Sequence, residues 1–171
     1  MKSVSFILVI AVVTLLLTAC AAPSVETSTH EVKISGFTQG LMKQDADEKW
    51  RVYLPSDTLK YTVNGKCTAD GVQYSCMWYG IAFDFRATDS QSTLACTTKS
   101  TSPSEYADPT HTYGKNVSTW HWKLRLNGKS GHINDQFYVI NEQNVETDTT
   151  RCSYMGEPVL TFRTTLLPPK K

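Results

Sequence analysis

The chain has 171 residues, with 17 Lys and Arg against 16 Asp and Glu. So even a balance, with no cationic run except Lys170-Lys171, argues against a broad surface for nucleic acid or anionic lipid, which relies on clustered Lys and Arg. The length allows one domain with a core of its own.

At the amino terminus, Lys2 precedes an apolar run from Val4 that closes on Leu17-Thr18-Ala19-Cys20. About 16 apolar or small residues fall short of the roughly 20 that a spanning helix needs, and they suit the apolar region of a secretory signal. Small residues directly before a cysteine resemble the lipobox of bacterial lipoproteins. The resemblance implies cleavage before Cys20, with acyl chains such as palmitate on its thiol and on the new amino terminus. Each buried methylene contributes about 0.8 kcal/mol, so two or more chains hold a protein on a membrane surface without a spanning helix. In enterobacteria-like lipoproteins an aspartate after the cysteine retains the protein at the inner membrane. Ala21 stands there, so the resemblance implies the outer membrane, with the domain facing the periplasm or the outside.

Residues 1–19 then form a signal peptide, and 171 less 19 leaves 152 residues carrying 16 charges of each sign, since only Lys2 is lost. Residues 20–30 hold the lipidated cysteine and a flexible tether, because Ala-Ala-Pro-Ser-Val-Glu-Thr-Ser-Thr buries too little to order itself. Residues 31–167 form a single β domain and 168–171 a tail.

From His30 the pattern alternates with period two, the signature of half-buried strands. Strands are expected over 32–37, 50–54, 59–63, 72–79, 81–86, 92–97, 120–126, 133–140, 145–154 and 159–166. The clearest is Trp120-His121-Trp122-Lys123-Leu124-Arg125-Leu126, with two Trp and two Leu on one face and His, Lys and Arg on the other. Asn64-Gly65, Asp70-Gly71, Asn127-Gly128 and Met155-Gly156 supply turns. The polar stretch 38–48 reads as a loop or a helical turn or two. Clean alternation argues for antiparallel sheets with one wet face. The expected fold is all-β, an antiparallel β-sandwich or a small β-barrel with two disulfides, after the signal peptide and tether.

Five cysteines less the lipidated Cys20 leave four: Cys67, Cys76, Cys96 and Cys152. An oxidising compartment favours two disulfides, in any of three connectivities. Cys67 and Cys76 flank the Asp70-Gly71 turn and so face each other across a hairpin, which favours Cys67–Cys76 with Cys96–Cys152. Zinc is not expected, since there is no Cys-x-x-Cys and no nearby histidine.

Catalytic signatures are missing. There is no Gly-x-Ser-x-Gly and no His-Glu-x-x-His. His121 and His132 flank one turn, with Asp135 close in sequence, but they read as exposed strand positions, and Asp45-Ala46-Asp47-Glu48 as a solvated acidic turn. No metal or cofactor is expected. The long segment 97–118 carries Tyr106, Asp108, His111 and Tyr113, the candidate binding residues, and the Trp and Tyr content suits recognition. The expected function is a non-catalytic binding module of the envelope: an inhibitor or immunity protein, an exclusion factor or an accessory of a surface assembly. Its partner would be an envelope protein or glycan rather than nucleic acid. The alternatives are a small-molecule carrier with a β-barrel interior and, behind it, an envelope enzyme.

Overall fold

A computed structural model of the chain describes residues 30–69, 71–104, 117–140 and 144–169. Residues 1–29, which carry Cys20, the expected signal and the expected tether up to His30, lie outside them. The described residues form ten strands: β1 (Val32–Gln44), β2 (Trp50–Pro55), β3 (Thr58–Lys60), β4 (Gly65–Ala69), β5 (Val72–Ala87), β6 (Gln91–Ser104), β7 (Val117–Asn127), β8 (Ser130–Val139), β9 (Glu146–Tyr154) and β10 (Glu157–Leu167).

The strands make two five-stranded sheets. One runs β2-β1-β5-β4 with β8 also on β5; the other runs β3-β10-β9-β6-β7. Alternate residues of a strand bond to opposite edges. Thr88, past the end of β5, donates to the Glu31 carbonyl ahead of β1, and Ala87 donates to Lys129 ahead of β8, so β1 and β8 flank β5. The groupings β1-β5-β8 and β6-β9-β10 match the A-B-E and C-F-G strands of an immunoglobulin-type sandwich, with β7 added beside β6. All pairings are antiparallel except that of β3, which lies parallel to the end of β10.

Alternation decides what is inside. Ile81, Phe83 and Phe85 of β5 meet Leu94 and Cys96 of β6, Leu124 and Leu126 of β7, and Phe162 of β10 in one cluster. Phe83, Leu94 and Leu126 have no exposed surface. Burying each such side chain is worth about 1.5–3 kcal/mol. Trp120 is buried and Trp122 packs on the cluster, as the period of β7 predicts. Toward one end the inner face of the second sheet turns polar, and its groups pair with one another. Trp122 Nε1 donates to Thr98 Oγ1 at 3.0 Å, Thr98 and Thr150 share a hydroxyl bond of 2.8 Å, and Ser100 Oγ donates to Glu146 at 2.9 Å.

Three expectations are corrected. Residues 38–44 are strand, because β1 runs on between β5 and β2. The turn after it is set by Asp45, whose carboxylate accepts from the backbone N–H of Asp47 at 2.9 Å and of Lys49 at 3.0 Å and pairs with Arg51. Residues 72–79 and 81–86 are one strand, with Gly80 inside it. Gly80 sits opposite Gly40, and an added Cβ on Gly80 would overlap the Asp135 carbonyl and the Met42 sulfur, while one on Gly40 would overlap the Leu54 carbonyl. This close approach lets the first sheet curl, enclosing Met42 completely. Residues 61–63 are not strand; β3 ends at Lys60.

Asn64 fills the place where β1 parts from β5 and β4 begins. Its amide donates to the carbonyls of Met42 (3.1 Å) and Trp78 (3.0 Å), and its oxygen accepts the Trp78 N–H (2.6 Å). A side chain thereby stands in for a missing stretch of ladder.

Candidate functional site

Tyr106, Asp108, His111 and Tyr113 lie outside the described residues, in the stretch between β6 and β7. The four domain cysteines are described, and they pair as Cys67–Cys76 and Cys96–Cys152, with Cα atoms 6.0 and 4.0 Å apart. Cys96 and Cys152 face each other on adjacent strands β6 and β9, so this bridge lies within the second sheet. Cys67 and Cys76 lie within the β4–β5 hairpin of the first.

The two histidines are not brought together. Although β7 and β8 are joined by Gly128 and Lys129 alone, they belong to different sheets. His121 bonds Thr97 Oγ1 at 2.9 Å on the outside of the second sheet, and His132 bonds Asp84 at 2.8 Å on the outside of the first. Asp135 lies on the opposite face of β8 from His132, across from Ile81 and between Ile133 and Phe137 in the inward row. Burial pushes its carboxyl up to about 6, against a smaller opposing effect from the Gln136 backbone N–H. Among the described residues, no three His, Cys, Asp or Glu side chains converge as metal ligands.

Several aromatics are engaged internally. Trp122 and Phe137 rings meet edge-on at 5.6 Å, and the Tyr154 hydroxyl donates to Asp89 at 2.7 Å. Trp50, Trp78 and Tyr138 pack in series on the outside of the first sheet, the first pair tilted and the second edge-on, with centroids 4.5 and 5.2 Å apart. Their polar tips turn to the protein: Trp78 Nε1 donates to the Lys66 carbonyl at 3.0 Å and the Tyr138 hydroxyl to the Thr68 carbonyl at 3.3 Å.

The outside of the second sheet is different. Leu94, Cys96, Thr98, the Trp and Leu residues of β7, and the even positions of β9 point inward, so the odd positions point out. Those positions bring Lys99 of β6, His121, Lys123 and Arg125 of β7, Arg151 of β9 and Arg163 of β10 onto one face, all of them exposed. The register interleaves them with small and hydroxyl side chains. Lys99 lies beside Thr119 and Thr149, Arg151 beside Thr97 and Thr161, Lys123 beside Ala95, and Arg125 beside Thr93. The acids of these strands go elsewhere. Glu146 and Asp148 are buried inward, and Glu157 pairs with inward-facing Tyr154 at the hairpin end. Among the described residues, none of the five Lys and Arg side chains makes an ion pair; the four ion pairs present lie elsewhere. The even charge balance therefore hides a segregated surface, and the expectation that only Lys170-Lys171 forms a basic cluster is corrected. The missed signal was parity. Each cation alternates with inward residues on its own strand, and the β6–β7 pair lies far in sequence from the β9–β10 pair.

No family model matches the chain, and no curated protein matches it. A crystal structure of an immunoglobulin-like protein from Pseudomonas aeruginosa is similar over 80% of this chain and 96% of that one, with a TM-score of 0.47 and 8% identity. A likeness that distant bears on neither partner nor activity.

Proposed function

We propose that the protein is a non-catalytic binding module of the bacterial envelope, anchored at the outer membrane by lipid on Cys20, with the cationic face of the second sheet as its working surface. The observation that carries this reading is the face itself. Five exposed Lys and Arg side chains share one side of a sheet without a carboxylate among the described residues to neutralise them. Charge of one sign, left uncompensated on a rigid sheet, raises the local concentration of an anionic partner and steers its approach. The sheet holds the spacing of the cations, and the disulfide between β6 and β9 fixes its centre. A carrier needs an unfilled interior. The space between these sheets is occupied by Phe83, Ile81, Leu94 and Leu126, which favours binding on the outside.

The test has two arms. Cys20→Ala should move the protein out of the membrane fraction; a variant that still pellets with membranes removes the anchor. Photocrosslinkers placed at Thr97 and Thr149 in cells should trap an envelope component that crosslinkers at Ser35 and Asn134, on the first sheet, do not. Equal capture from both sheets, or capture from the first alone, rejects the cationic face as the working surface.

A further inference from the structure

We infer that the ligand of the cationic face is a linear anionic polysaccharide lying diagonally across the second sheet, from Arg125 to Arg163. The inference rests on the reading of this face as the working surface and adds the chemistry of what it holds.

Strand spacing of about 4.8 Å and a rise of about 3.3 Å per residue set the layout. Lys99, Arg151 and Arg163 stand on successive strands β6, β9 and β10, displaced by two residues back and forth, so their backbones are about 8 Å apart in sequence along the sheet. Arg125, Lys123 and His121 follow one another at alternate positions of β7, about 7 Å apart. The set makes a band of about 25 Å from the Arg125 corner to Arg163.

Shape narrows the choice of polyanion. Each strand turns about −20 to −25° relative to its neighbour, so a five-stranded sheet is a saddle. A bilayer surface meets a saddle over a narrow zone and leaves most of these cations out of reach. A chain can follow the band. The residues between the cations decide between kinds of chain. Thr93, Thr149 and Thr161 offer hydroxyls that both donate and accept, which suits sugar hydroxyls. None of the described outward residues of β6, β7, β9 and β10 is a Trp, Tyr or Phe, so the face lacks the stacking platform on which single-stranded nucleic acid relies. Acid groups recurring along a sugar chain can meet the cations while its hydroxyls meet the threonines.

The test uses the full chain in nonionic detergent, titrated with polygalacturonate, with dextran as the neutral polysaccharide and oligothymidylate as the nucleic acid. Polygalacturonate should bind and dextran should not. Five neutralised charges at a slope of about 0.7 each predict a loss of about 100-fold in affinity between roughly 50 and 200 mM salt. Reversing three cations, Lys99→Glu, Arg151→Glu and Arg163→Glu, should abolish binding with the unfolding temperature retained, since all three side chains are exposed. The corresponding Gln triple supplies the same readout if the reversal fails to fold. Reversing Lys33 and Arg86 on the first sheet should leave binding within about threefold. Salt-insensitive binding, equal binding of dextran, or tighter binding of oligothymidylate overturns the inference. If polygalacturonate fails but an envelope protein is trapped at Thr97 and lost in the reversed variant, the polysaccharide is wrong and the binding module stands. If binding survives the reversal and is lost with Lys33 and Arg86, both fall.

Discussion

Asp135 places a carboxyl in the inward row of β8, across from Ile81, where burial lifts its pKa from 3.8 to about 6. The folded pKa lies above the unfolded one, so the stabilisation is complete below about pH 4 and is lost as the pH rises through about 6. A difference of about two pKa steps at 1.36 kcal/mol each amounts to about 3 kcal/mol lost by pH 7.5. The residue keeps some surface on an edge strand, so this figure is an upper bound. Asp135→Asn keeps the size and removes the charge. Urea unfolding of both proteins from about pH 4 to 7.5 should show the variant near wild type at the acid end and more stable by up to about 3 kcal/mol at the other. The pairs His30–Asp89 and His132–Asp84 are present in both proteins and cancel in the difference. Parallel stability curves, or a gain equal at every pH, would refute the assignment of this dependence to Asp135.

Two further outcomes follow from the fold. Replacing Cys96 and Cys152 by Ala opens a link across 56 residues and should cost about 4 kcal/mol by the loop-closure relation, against about 2.5 for Cys67 and Cys76, separated by 9; denaturant midpoints of the two double variants should rank in that order. Asn64→Ala leaves the Trp78 N–H and the Met42 and Trp78 carbonyls without their side-chain partner and should cost about 2–4 kcal/mol, with faster amide exchange at Trp78.

The all-β class, most strand positions and the Cys67–Cys76 disulfide were legible because they depend on local patterns: alternation in β7, turn residues, and cysteines flanking a hairpin; Cys96–Cys152, 56 residues apart, followed only as the remaining pair. Errors came where distant chain set the local outcome. Residues 38–44 are polar enough for a loop, but strands on both sides supply their hydrogen bonds. Gly80 reads as a break and is instead the point where Asp135 and Met42 crowd the strand. The cationic face was illegible for a similar reason. Lys99, Arg151 and Arg163 share a neighbourhood only through β6-β9-β10 pairing, and no window of sequence spans it. Sequence reasoning aimed at Tyr106 to Tyr113, between the strands that carry much of that face.

The position of the disulfides has a mechanical side. Cys67–Cys76 lies within one sheet and Cys96–Cys152 within the other, so among the described residues no disulfide joins the layers, which are linked by backbone turns and by packing. Residue 30 enters the first sheet through β1, whereas the cations stand on the second. A load pulled between the chain's amino-terminal end and anything gripped by Arg151 or Arg163 is therefore shared between the apolar layer of Phe83, Leu94 and Leu126 and the polar ties between the sheets, His30 and Tyr154 on Asp89 and Gln39 on the Arg163 carbonyl. Under tension the noncovalent contacts between the layers stand in the load path, while each disulfide braces only its own sheet.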